Sequence, residues 1–339
     1  MKILVVGSDK IYAIENFYVK YLRELGIDVF HFSAQSIFYD YYQNGIINKL
    51  IFKAGLSSIY KKINAQFIHE VDDFKPDIIW VFKGMEIFPQ SLIYSKEKKI
   101  KLVNYNPDSP FVFSGKGSGN PNIKKSIGLY DLHLTYNIEV KKEMDARYNI
   151  PTEILPFGFD VSEELYSSCL GLDEVVKVCF LGNPDKGRGV FLETLALNGI
   201  RLDVYGNNWG KYVTHPNINV FDPIYGDDLW KVLHKYRVQL NLMRPHNPDS
   251  HNMRSFEVAG IGGIQLAPDT FDHRVYFKPG KEIFLYQNIQ DCIQQIKKIL
   301  ALSPLKANEV RDKARFHSIN AGYSYKDRAN FALKTLKKL

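Results

Sequence analysis

The chain of 339 residues has only three cysteines, Cys169, Cys179 and Cys292, odd in number and widely spaced. That argues against a disulfide framework or a cysteine metal site and for a reducing cytoplasm. Asp-x-Asp occurs nowhere and no histidine pair has zinc spacing on one helix, so no metal or other cofactor is expected. Gly-x-Ser-x-Gly is also missing, which removes the serine-hydrolase elbow. No uninterrupted apolar run approaches the roughly 20 residues of a membrane-spanning helix. The opening "MKILVVGSDK" is too short in its apolar run for a secretory signal. No basic arm, zinc-finger spacing or RNP-type aromatic motif accompanies the net charge of +7, so nucleic acid is not an expected partner. The mild excess suits phosphate-bearing ligands or an anionic membrane surface.

What is present is a globular composition, with 45% hydrophobic and 24% charged residues, in a chain long enough for two domains. Aromatics at 14% suit pockets that stack a ring or sugar, or else reflect codon bias in an AT-rich genome. Short apolar runs recur at "KILVV", "IDVFHF", "DIIWVF", "IKLVNY", "DLHLTY" and "TEILPF", separated by stretches long enough for crossover helices. After a pause near residues 157 to 174 a second series begins with "KVCFLG", "RLDVYG", "INVF", "VQLNL", "GGIQLA" and "EIFLY". Strands alternating with helices predict two successive doubly wound parallel sheets, with ligands beyond the carboxyl ends of their strands and an interdomain cleft. The expected boundaries are 1–157, 158–322 and a closing helix over 323–339. Residues 106 to 122, rich in glycine, serine and proline, read as a mobile connection. Residues 47 to 71 predict one helix with lysines beside large apolar side chains, either packing on its own sheet or docking on a membrane surface or acceptor.

Glycine-rich strings need sorting. "GNPDKGRG" (182 to 189) lacks the Lys-Ser or Lys-Thr ending of a P-loop, and "GKGSG" (115 to 119) does not join a clear strand to a helix in the dinucleotide manner. Gly182 nevertheless stands at a strand end before a helix, with Asn183, Lys186 and Arg188 beside it, a natural pyrophosphate cradle or a plain glycine turn. In "VYGNNWG", Gly206 leaves room for a base on which Tyr205 or Trp209 could stack. The densest polar stretch is "RPHNPDSHNMRSFEVAGIGGIQLAPDT" (244 to 270). There Asn252 and Arg254 open a helix suited to phosphate, Glu257 can accept from a ribose diol, and Gly262 and Gly263 allow close backbone approach. The alternative is a capped helix whose Arg254 and Glu257 pair with each other. Gly7, Asn241 and Asp249 lie at strand ends or in this stretch without an assigned role.

The ordered segments "FLGNPDKGRG", "LDVYGNNWG", "VQLNL", "DSHNMRSFEVAGIGGIQLAPDT", "FKPGKEIFLY" and "HSINAGYSYKDRANFAL" resemble the CgeB-like (spore maturation type) glycosyltransferases of the GT-B fold. The first half is similar more loosely, through "FKPDIIWVFKG" and "NYNPDSPF". The resemblance implies a bacterial, cytoplasmic, metal-independent hexosyltransferase of polysaccharide biosynthesis, with two Rossmann-like domains and a nucleotide-sugar co-substrate, UDP-linked by first expectation. Its acceptor would be a glycan, lipid-linked or protein hydroxyl bound by the first domain, with peripheral membrane contact on the inner face in view. On this reading Arg254, Gly262 and Gly263 hold the diphosphate and Glu257 the ribose. Related enzymes carry two glutamates with seven residues between them; here Asp249 takes the first position. If transfer inverts, Asp108 in "NPDSPF" is the candidate general base, with a turn-forming Asp as the alternative. A nucleotide-sugar epimerase or hydrolase, and a non-catalytic nucleotide-sugar-binding protein of surface or spore-coat assembly, are the competing functions.

Overall fold

A computed structural model describes residues 1–11, 13–111, 120–244 and 249–339, which leaves the middle of the expected mobile connection, "GKGSG" included, outside the described residues. The chain divides into two compact units, Met1–Pro156 with Tyr325–Leu339, and Phe157–Ser324.

In the first unit the order is β1 (Lys2–Val6), α1 (Ile14–Glu24), β2 (Asp28–Phe32), α2 (Ala34–Gln43), α3 (Ile46–Lys53), α4 (Ile59–Phe74), β3 (Ile78–Phe82), α5 (Pro89–Glu97), β4 (Lys101–Tyr105), α6 (Pro121–Ser126), β5 (Leu132–Thr135), α7 (Ile138–Tyr148) and β6 (Thr152–Ile154). The strands form one six-stranded sheet in the order β2-β1-β3-β4-β5-β6. Every pairing in it is parallel. Strand β3, "IIWVF", is buried along its whole length, as a strand covered on both faces must be. One side of the sheet packs Leu4, Val6, Ile79 and Val81 against Ile63, Phe67 and Val71 of α4.

The second unit runs α8 (Glu163–Cys169), β7 (Val175–Leu181), α9 (Lys186–Leu197), β8 (Leu202–Tyr205), β9 (Ile218–Phe221), α10 (Gly226–Lys235), β10 (Tyr236–Leu240), α11 (Met253–Gly260), β11 (Gln265–Pro268), α12 (Phe271–Tyr276), β12 (Phe284–Tyr286), α13 (Ile289–Leu300) and α14 (Pro304–Asn320). Its six strands are again all parallel, in the order β12-β11-β10-β7-β8-β9. Helix α15 (Tyr325–Leu336) then belongs to the first unit. The fold class is therefore two doubly wound, Rossmann-like parallel sheets, as the alternating pattern predicted.

The single helix expected over 47 to 71 is in fact two, α3 and α4. Gly55 adopts φ +72, a left-handed conformation that ends α3, and Leu56 N donates back to Ile51 O at 3.0 Å. The apolar periodicity continues across this break, so only the glycine carried the signal. Helix α4 buries Ile59, Ile63, Asn64, Phe67 and Val71, whereas α3 buries no residue.

Candidate functional site

In the second sheet the strand order reverses between β7 and β10, so the crevice beyond their carboxyl ends is where a doubly wound sheet takes a ligand. Two loops meet this edge. The first follows β7: Gly182 N donates to Tyr205 O at 3.0 Å, and Asp185 caps α9 by accepting from Arg188 N at 3.0 Å. Arg188 spans the reversal, its Nη1 donating to Asn183 O (3.0 Å) and its Nη2 to Leu242 O just past β10 (2.7 Å). Its Nε is buried without a hydrogen-bond partner among the described residues, the Asp185 carboxylate standing 3.6 Å away. Burial, and secondarily the like charge of Arg244, lowers the Arg188 pKa to about 10. An anion at this edge would oppose that lowering. Lys186, two residues earlier, is exposed.

The second loop is the polar stretch after β10, where His246 of "RPHN" lies outside the described residues. Asp249 holds φ +50, which makes it a left-handed turn residue. Asn252 caps α11, accepting from Ser255 N, while the Ser255 side chain accepts from Asn252 N, a complete capping box. Asn252 Nδ2 donates to Asn241 Oδ1 at 2.7 Å, and Ser255 Oγ lies 2.9 Å from His273 Nε2, so the helix start is tied to β10 and α12. Burial holds the His273 pKa down at about 4, which keeps that ring neutral. Arg254 Nη1 stands 2.8 Å from Glu257 Oε2, so the pairing that was the alternative reading is present. Even so, Arg254 Nε is buried with no hydrogen-bond partner among the described residues.

Other predicted positions fall elsewhere. Gly262 and Gly263 follow α11, as the sequence placed them, and so lie at the end of the helix away from Asn252 and Arg254, about 12 Å off for a helix of this length. Gly262, at φ +72, and Gly263, whose N donates to Val258 O at 2.7 Å, close the helix, so the assignment of this turn to a diphosphate is corrected. Trp209 is likewise no stacking platform: it is wholly buried, edge-on to Phe180, with Nε1 donating to Gly182 O at 2.8 Å. The bare face of Gly206 is taken up by that same Gly182 carbonyl and by Trp209 Nε1, 2.7 Å from where a Cβ would stand. Tyr205 stacks on Phe221 at 4.8 Å and bonds Tyr236 through its hydroxyl at 3.0 Å.

In the first unit, Asp108 lies past β4 and forms an ion pair with Lys83 at 2.8 Å. Burial works to lower the Lys83 pKa, but Asp108 and Glu15 more than offset it and the net shift is upward. Gly7 lies directly under the Glu15 side chain, whose Oε1 accepts from Ser8 N at 3.1 Å. Burial raises both Glu15 and Glu86 to about 7. Sequence reasoning missed Glu15, Lys83 and Glu86, because single charged residues in a helix or loop carry no spacing signal. It also missed the buried His251–Asp272 pair, 2.7 Å apart, which only the fold brings together. Among the described residues, no group of three or more His, Cys, Asp or Glu is placed to hold a metal ion.

A protein-family profile described as "Glycosyl transferase-like" matches residues 188–334, from Arg188 through α11 to α15. No curated protein matches the chain in sequence. Among solved structures, a sucrose-phosphate synthase from Thermosynechococcus elongatus aligns over 100% of this chain and 98% of its own, at 11% identity and a TM-score of 0.70. Anabaena HepE in complex with UDP aligns over 100% of both chains, at 14% identity and a TM-score of 0.67. A putative UDP-N-acetylglucosamine 2-epimerase from Listeria monocytogenes aligns over 99% of this chain and 95% of its own, at 12% identity and a TM-score of 0.59. At these identities the likeness is one of fold, and the shared fold class is GT-B.

Proposed function

We propose that this protein is a glycosyltransferase that moves a sugar from a UDP-sugar to an acceptor hydroxyl. The observation that carries the reading is a pair of arginines, Arg188 and Arg254, in the first turns of α9 and α11, which follow the two loops at the β7–β10 reversal. Each keeps a buried Nε without a hydrogen-bond partner among the described residues. A buried guanidinium N–H left without an acceptor at a switch point is what a diphosphate would complete. Glycosyl transfer builds negative charge on the leaving diphosphate, and guanidinium groups fixed there stabilise the transition state without reorganising. In this proposal Glu257, 7% exposed and already oriented by Arg254, accepts from the ribose hydroxyls. The arginines supply the charge that a metal supplies in Asp-x-Asp enzymes, which supports metal-independent transfer. If transfer inverts, Asp108 takes the acceptor proton from its place at the carboxyl edge of the first sheet. The CgeB-like type and an acceptor on a glycan, lipid or protein belong to the same proposal.

Melting curves with UDP, GDP and ADP test it. UDP is expected to raise Tm most, and Arg188→Ala and Arg254→Ala are each expected to weaken UDP by roughly tenfold to a hundredfold, the range for a charged hydrogen bond. No stabilisation by any nucleotide, or full affinity in both variants, would remove the donor site. The fold shared with the Listeria protein keeps an epimerase as second reading. Turnover of UDP-N-acetylglucosamine without an acceptor would select it.

A further inference from the structure

Between β2 and β3 the chain spends residues 34–74 on three helices, and the middle one is out of place for a water-facing element. Ile46, Ile47 and Leu50 of α3 are 73%, 67% and 60% exposed, and Leu56 in the following turn is 79% exposed. Helix α3 is nevertheless anchored: Phe52 packs between Phe38 of α2 (4.9 Å) and Tyr60 of α4 (5.5 Å). With residues turning 100° apart, Phe52 and Asn48 mark the inner side, while Ile46, Leu50 and Ile47 fill an outer arc flanked by Lys49 and Lys53. From residue 41 to residue 69 there is no Asp or Glu, and the charged side chains are Lys49, Lys53, Lys61 and Lys62, with His69 as the only other ionisable base.

We propose that α3 is a membrane-surface helix, which seats Ile46, Ile47, Leu50 and Leu56 at the edge of the acyl region of an anionic bilayer while its lysines meet the lipid phosphates. Apolar side chains interleaved with lysine are the composition of an interfacial helix, and long lysine stems let the ammonium stay at headgroup level. The charge pattern decides the occupant. A second copy joined through the same face would bring the lysines of both copies into one interface, to which residues 41–69 contribute no acidic side chain. An anionic lipid surface has the opposite sign and no fixed outline to match. This inference stands apart from the donor site and would survive its failure.

The test is co-sedimentation of the full chain with vesicles rich in phosphatidylglycerol, against vesicles of phosphatidylcholine alone. Binding is expected only to the anionic vesicles and is expected to fall with added salt. Lys49→Ser with Lys53→Ser should lower the partition coefficient by roughly 25-fold, about fivefold for each lysine. Ile46→Ser with Ile47→Ser and Leu50→Ser should lower it by more than about tenfold. All these side chains are at least partly exposed, and an unchanged melting curve confirms that each variant is folded. Failure of the unmodified chain to sediment with anionic vesicles, or equal binding by the variants, overturns the proposal. So does a dimer in size-exclusion chromatography that the apolar variant abolishes, which would assign the face to a second copy.

Discussion

Glu15 occupies the place where a doubly wound unit of this kind would take a phosphate. Its carboxylate sits over Gly7 and accepts from Ser8 N, at the first strand-to-helix turn and beside the N-terminus of α1. The first unit therefore fills its own anion position, and Gly7, which the sequence left without a role, serves an internal contact. The consequence for stability has a definite sign. Glu15 and Glu86 have ordinary values of 4.5 and rise to about 7 in the fold, chiefly through burial. Between those values the fold retains protons that the unfolded chain has lost. Stability is then fully present below about pH 4.5, falls as pH rises toward 7, and levels off above it, by at most ~3 kcal/mol per carboxyl. Glu15→Gln keeps an acceptor for Ser8 N and removes one of the two titrations. Its urea midpoint should exceed that of the unmodified protein at pH 8 and match it near pH 4.5; an unchanged difference across pH would reject the assignment.

The alternation of apolar runs with helical stretches placed every described strand, most directly the central ones such as β3 and β10, whose burial along their whole length demands an apolar run. The helix bearing Arg254 and Glu257 was legible for the same reason, through its cap and its apolar face. Which end of a helix a glycine pair serves was not legible. Gly262 and Gly263 look the same in sequence whether they approach a ligand or close α11, and only parallel pairing of β10 with β11 sends them to the amino edge of the sheet. Trp209 and Gly206 misled for a related reason: the tight approach of the β8 turn to Gly182 is a contact across the sheet, invisible to local pattern. Gly206→Ala would drive a Cβ into the Gly182 carbonyl at a backbone with φ +154. A loss of about 2 kcal/mol or more is expected in chemical denaturation of the second unit. Gly210→Ala, with nothing within 4 Å of its added Cβ, is the matched control and should change little.

Each unit carries its own core, and the first is completed by a segment that follows the second in sequence. Helix α15 buries Tyr325, Ala329, Ala332, Leu333 and Leu336, and its Tyr325 stacks on Phe17 of α1 at 4.4 Å. Its stretch "YKDRANFALKTL" carries Lys326, Asp327, Arg328 and Lys334 and can pass for a surface helix, so its place with α1 was not legible in its own pattern. Ending the chain at Ser324 should lower the melting transition of the first unit while UDP still shifts that of the second. A single transition lost altogether would show that the two units do not unfold separately.

That arrangement also sets an order of events during synthesis. A ribosome delivers residues 157–324 in full before it makes 325–339, so the second unit can assemble while α1 still lacks its partner. Folding that normally runs from the N-terminal domain forward is here finished in reverse. The flank of α1 on which Tyr325 stacks thus stays uncovered on the nascent chain until the last residues emerge.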